Sequence, residues 1–118
     1  MDSILVSIKK LLGLEEAYTY FDTDIVMHIN SVLSVLTQLG VGPPQGFSIQ
    51  DASATWDDFL GEDTTGLDAV RSYVYMRVRL MFDPPTSSAA MDSMSKIISE
   101  LEWRIHVTME NKALEGGV

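Results

Sequence analysis

Apolar residues recur three and four positions apart in four separate runs of this chain, and clusters of proline and glycine cut between them. Such a sequence is confined to short amphipathic helices joined by irregular turns. The first run is Ile4, Leu5, Ile8, Leu11 and Leu12, with Ser3 or Asp2 able to cap its start and Gly13 to stop it. The second is Ile25, Ile29, Val32, Leu36 and Leu39, entered through the capping oxygens of Asp22, Thr23 and Asp24 and ended by Gly40. Val26 and Leu33 widen its stripe, which predicts a helix central to the core, exposed near Asn30, Ser34 and Gln38.

Gly42, Pro43, Pro44 and Gly46 then forbid regular structure, because both prolines lack an amide hydrogen and glycine favours turns. Phe47 and Ile49 suit a brief extended segment. Trp56 to Leu60 reads as an acidic helical turn whose anchors Trp56, Phe59 and Leu60 plug the bundle. A third long helix begins near Leu67 and Asp68, runs through Val70, Tyr73, Val74, Val78 and Met81, and is stopped by Pro84 and Pro85. Arg71, Tyr75, Arg77, Arg79 and Phe82 occupy its other faces, as expected of a helix buried on more than one side and shared between subunits. Ser87 or Ser88 caps the last and longest helix, with Met91, Met94, Ile98, Leu101 and Ile105 on one stripe and Ile97 alongside.

The expected fold is therefore all-α: a small bundle of about four helices with a Pro/Gly-rich loop and a short extra helical turn in the middle. At 118 residues with 46% apolar content, one modest core is all that can be built, so residues 1–110 are expected to form a single domain. Periodicity fades past Glu110, and residues 111–118, ending Gly-Gly-Val, read as a flexible tail. The first apolar run is broken by Ser7, Lys9 and Lys10, too short and too polar for a bilayer, so no membrane association is expected.

Charge narrows the function. The formal net charge is −9, and no Lys or Arg lies between Lys10 and Arg71, a stretch holding ten Asp and Glu residues. Binding to phosphate backbones gains affinity by exchanging counterions for Lys and Arg, so sequence-specific nucleic-acid binding is excluded, although the chain can stand beside DNA without gripping it.

Catalytic chemistry is equally poorly supplied. The absence of cysteine removes thiolate nucleophiles, disulfides and Cys-based metal sites. The only histidines, His28 and His106, lie on different helices without a paired ligand one turn away. Asp57, Asp58, Glu62 and Asp63 lack the spacing of a calcium loop and read as an acidic face turned to solvent, a lumen or a partner. Gly40-Val41-Gly42 is followed by prolines and has no Lys-Ser/Thr, so it is no phosphate loop. No catalytic residue, metal site or cofactor is expected, and an enzyme is not. Arg71, Arg77 and Arg79 share one helix and suit carboxylates on a neighbouring chain. Pairing inside the chain with Asp68, Asp83, Glu100 or Glu102 is the equal alternative.

Particular strings then point to a family. His28-Ile29-Asn30, Gln38-Leu39-Gly40-Val41-Gly42 and Trp56-Asp57-Asp58-Phe59-Leu60 resemble the small head-tail connector, or head completion adaptor, proteins of long-tailed bacteriophages. So do the continuous block from Tyr73 through Tyr75-Met76-Arg77-Val78-Arg79 to Asp83-Pro84-Pro85, and Glu100-Leu101-Glu102-Trp103-Arg104. The likeness spans roughly residues 20 to 106. It implies a helical connector domain whose copies form a ring of portal symmetry below the portal protein, extending the DNA exit channel toward downstream head-tail joining or tail proteins.

On that resemblance, Arg71, Arg77, Arg79, Glu102, Trp103 and Arg104 would form the subunit or portal interface, and Asp57, Asp58, Glu62 and Asp63 would line the lumen. DNA would pass through a virion component made in the bacterial host cytoplasm. A non-viral helical adaptor or regulatory protein-binding module is the alternative that the residues alone leave open.

Overall fold

The computed structural model describes residues 2–63 and 66–116. Five helices follow one another: α1 (Ile4–Leu11), α2 (Asp22–Gln38), the short α3 (Trp56–Leu60), α4 (Leu67–Phe82) and α5 (Ser88–Gly116). Among the described residues there is no strand, and the expected all-α bundle with its short extra turn is what the chain adopts.

Local chemistry sets the helix ends. Ser3 caps α1, its Oγ accepting the amide of Val6 at 3.2 Å. The start of α2 differs from expectation: its cap is Phe21, with no side-chain bond, and Asp22 and Asp24 sit in the first turn, where their charge complements the helix dipole. Thr55 and Asp58 close a reciprocal capping box on α3, with Asp58 N to Thr55 Oγ1 at 3.2 Å and Thr55 N to Asp58 Oδ2 at 2.9 Å. Of the two serines expected as caps, Ser87 caps α5, accepting the Ala90 amide at 3.1 Å, and Ser88 is the first residue of the helix.

A single apolar cluster joins Ile4, Ile8, Ile25, Ile29, Leu36, Trp56, Phe59, Val74 and Val78 with Ile98 and Ile105 of α5. Helix α2 is central to the core as expected, burying Ile25, Ile29, Val32, Leu33 and Leu36, and α4 shares that place, packing on α1, α2 and α5. Every residue from Arg71 to Leu80 is at least partly buried, whereas α2 keeps an open face with Met27 59% exposed. Burial of α4 on several sides is therefore achieved within one chain.

The loops are pinned by polar contacts. The segment before α1 and the segment before α3 form an isolated antiparallel bridge between Ser3 and Thr55, with Ile4 N to Ala54 O at 3.0 Å and Trp56 N to Asp2 O at 3.2 Å. Trp56 Nε1 donates to Ser7 Oγ at 3.0 Å, so the buried indole keeps a partner. Asn30, expected at the exposed side of α2, instead clamps the loop: Nδ2 donates to Ile49 O at 2.9 Å and Oδ1 accepts Ile49 N at 2.8 Å. Those two bonds fix the segment expected to be extended at Phe47 and Ile49, which pairs with no strand among the described residues. Lys9, on the face of α1 expected to be polar, is only 2% exposed; its Nζ lies 2.8 Å from Asp22 Oδ1 and donates to Glu16 O at 2.9 Å. Burying an ammonium costs several kcal/mol unless it is paired in this way.

Part of the stretch expected as a tail, from residue 111, is helical. Helix α5 continues to Gly116, held near its end by Lys112 Nζ at 2.9 Å from Asp63 Oδ2. Residues 117 and 118 of that expected tail lie outside the described residues.

Candidate functional site

The arginines of α4 are engaged by their own chain. Arg77 Nη1 lies 3.2 Å from Glu102 Oε2 and 3.3 Å from the Tyr73 hydroxyl, which itself donates to Glu102 Oε2 at 3.0 Å. The guanidinium carbon also sits 5.6 Å from the Tyr73 ring centre. Burial, and then the bond to Glu102, push the Tyr73 hydroxyl up to about 12. Arg79 Nη1 donates to the Tyr75 hydroxyl at 3.2 Å and its Nε to Asp83 O at 3.4 Å. Arg71 lies 3.9 Å from Asp2 Oδ2 and 5.7 Å from the Trp56 ring centre. Of the two arrangements open to these arginines, the structure realises the internal one for Arg77, with Glu102, and gives Arg71 and Arg79 internal partners as well.

What α5 turns outward is different. Trp103 is 65% exposed, and Leu114 69%, on the face opposite the buried stripe of Met94, Ile98, Leu101 and Ile105. Arg104 and Glu100 form an exposed pair at 2.5 Å, one turn apart. A solvated tryptophan is a poor contributor to a monomer's own stability and a frequent anchor at protein interfaces. Sequence reasoning singled out Trp103 and Arg104 but missed the rest of this face. Its signal was a second three-and-four spacing through Lys96, Glu100, Trp103, Val107, Glu110 and Leu114.

The four candidate lumen acids divide into two kinds. Asp58 is bound into the α3 capping box and Asp63 pairs with Lys112, while the exposed Asp57 and Glu62 project from the same turn. The turn is held from beneath by Trp56 and Phe59, and Phe59 packs under Gly42 of the Pro/Gly loop, so that loop positions the acids. Among the described residues no group of three or more His, Cys, Asp and Glu could hold a metal ion. Nor is any helix there long and apolar enough to cross a membrane. The surface thus presents an exposed tryptophan on α5 and an acidic projection at α3.

A family model described as phage connector protein matches residues 4–112, a span that takes in α1 to α4 and all but the end of α5. No curated protein and no solved structure matches the chain. With helices, loop and acidic turn all inside the matched span, this chain belongs to the phage connector protein family.

Proposed function

We propose that copies of this chain close into a ring below the portal of a long-tailed phage head and extend the channel through which DNA leaves. The observation that carries the reading is the family match over residues 4–112, since connectors are structural components of the virion. The ring would match the portal's symmetry, dock to the portal protein above, and receive head-tail joining or tail proteins below, after synthesis in the host cytoplasm.

A ring needs heterologous contacts, in which one face of a subunit meets a different face of the next. The exposed Trp103 and Arg104 supply material for such a contact or for the portal. Arg71, Arg77, Arg79 and Glu102 would support it by keeping α4, α5 and the start of the chain in register. Asp57 and Glu62, with Asp58 and Asp63 beside them, would face the lumen, where carboxylates leave the phosphates of passing DNA free to slide. The stretch from Leu11 to Val70, without a single Lys or Arg, favours that role.

Light scattering of the purified chain, alone and mixed with portal-bearing particles, tests the reading. A large closed oligomer, or a monomer that joins the particle, is expected. A stable dimer that ignores the portal would overturn it and favour a helical adaptor of another protein.

A further inference from the structure

We infer that the subunit joint is made by the outer face of α5 on one copy against the outer face of α2 on the next. This deepens the ring reading and rests on it. Both faces are largely exposed, and both follow a spacing of alternating three and four residues: Asp24, Met27, Ser31, Ser34 and Gln38 on α2, with Tyr20 in the turn just before it, and Lys96, Glu100, Trp103, Val107, Glu110 and Leu114 on α5. That is the spacing that keeps two helices in side-by-side contact. Each carries large apolar side chains in solvent: Met27 at 59% on α2, with Tyr20 at 79% in the turn that leads into it, and Trp103 at 65% and Leu114 at 69% on α5.

Both helices turn their buried stripes toward the common core around α4, so each presents its outer face away from that core. Because the two faces differ in shape, pairing like with like would leave one of them uncovered on every copy, whereas head-to-tail pairing covers both. On α2 a shallow groove lined by Thr23, Val26, Met27, Asn30, Ser31 and Ser34 receives a projecting side chain, and Trp103 is the largest projection on α5.

Register and charge agree. Helices α2 and α5 run in the same direction, since Phe21 meets Phe82 at 5.2 Å at one end and Gly40 lies beside Met109 at the other. Counting back from that shared level, Trp103 stands level with Ser34, and Lys96 with Met27, one turn from Asp24. Neither Lys96 nor Asp24 has an ion-pair partner among the described residues, and the outer face of α2 carries no base. In a ring whose axis follows these helices, Lys96 of one copy reaches Asp24 of the next while Trp103 enters the groove.

The chain's lack of cysteine makes the test direct. Full-length Asp24→Cys/Lys96→Cys protein is treated with a short bis-maleimide, alone and on portal-bearing particles, with light scattering on the same samples. A ladder of covalent dimers, trimers and higher species is expected, absent from either single variant, and Trp103→Ala should weaken self-association about tenfold or more. Oligomers without a ladder, or a Lys96→Cys dimer alone, would overturn this contact and leave the ring reading standing. No oligomer in either preparation would overturn both.

Discussion

Replacing Gly42 by alanine is expected to destabilise the bundle by about 2–4 kcal/mol, the net of three effects on one atom. Gly42 has φ +78, where an added Cβ costs about 1–2 kcal/mol in backbone energy. That Cβ would also sit 2.5 Å from Phe59 Cε1, 2.9 Å from Cδ1 and 3.1 Å from Cζ. Phe59 is only 1% exposed, with Phe47 5.4 Å away between ring centres, so its ring has little room to retreat, and such overpacking costs about 1–3 kcal/mol. Reduced freedom of the unfolded chain returns about 0.4–1 kcal/mol. Urea titration and thermal melting read the result, with a fall in Tm of about 10 °C or more for a domain of this size. Gly46→Ala is the control: its φ is +100 but nothing lies within 4 Å, so only the backbone cost applies. A cycle with Phe59→Leu should show coupling of about 1–2 kcal/mol if the ring is the obstacle. Equal losses for Gly42→Ala and Gly46→Ala, or additivity in the cycle, would refute the reasoning.

Lys9→Ala should cost about 2–3 kcal/mol by stranding Asp22 and emptying a buried site, and Lys9→Met should recover part of it through its apolar stem; equal urea midpoints for the two would count against the buried pair. Asn30→Ala should cost about 1–3 kcal/mol and speed hydrogen exchange at the Ile49 amide, and unchanged exchange there would contradict the clamp. Alkaline stability follows from Tyr73, whose hydroxyl titrates near 12 when folded and near 10 when unfolded. Between those values the folded chain binds the extra proton, so stability is intact below about pH 10 and falls as pH rises toward 12, by at most about 2 kcal/mol after allowing for solvent near the hydroxyl. Tyr73→Phe should lose that part of the slope; an unchanged alkaline profile would rule it out.

The helices were legible in the sequence because each depends on neighbours three and four residues away. Spacing located Ile4 to Leu11, Ile25 to Leu36 and the stripe of α5, and the Gly and Pro clusters marked where each ends. Trp56 and Phe59 were equally legible as anchors of the short turn. At the candidate site, Trp103 and Arg104 stood out, and exposure of α2 at Ser34 and Gln38 was expected, but that of Met27 was not, because a methionine between Val26 and Ile29 reads as one more core side chain.

Contacts between distant segments decided the rest. Lys9 resembles any surface lysine until the turn before α2 brings Asp22 and the Glu16 carbonyl to it, and Asn30 resembles a solvated face until Ile49 folds back on it. Periodicity ended α5 too early because its last turns carry few apolar residues; Lys112 holds them through Asp63, a partner nearly fifty positions away. The arginines of α4 show the same division. Their residue types announced that carboxylates would be met, a property of the guanidinium group itself, but only the packing of α4 against α5 brought Glu102 to Arg77 and left Trp103 and Arg104 facing outward. Local spacing determines which segments coil and which side they bury; which polar groups lose water, and which surface is left for a partner, is settled when the helices pack and each side chain either finds its complement or does not.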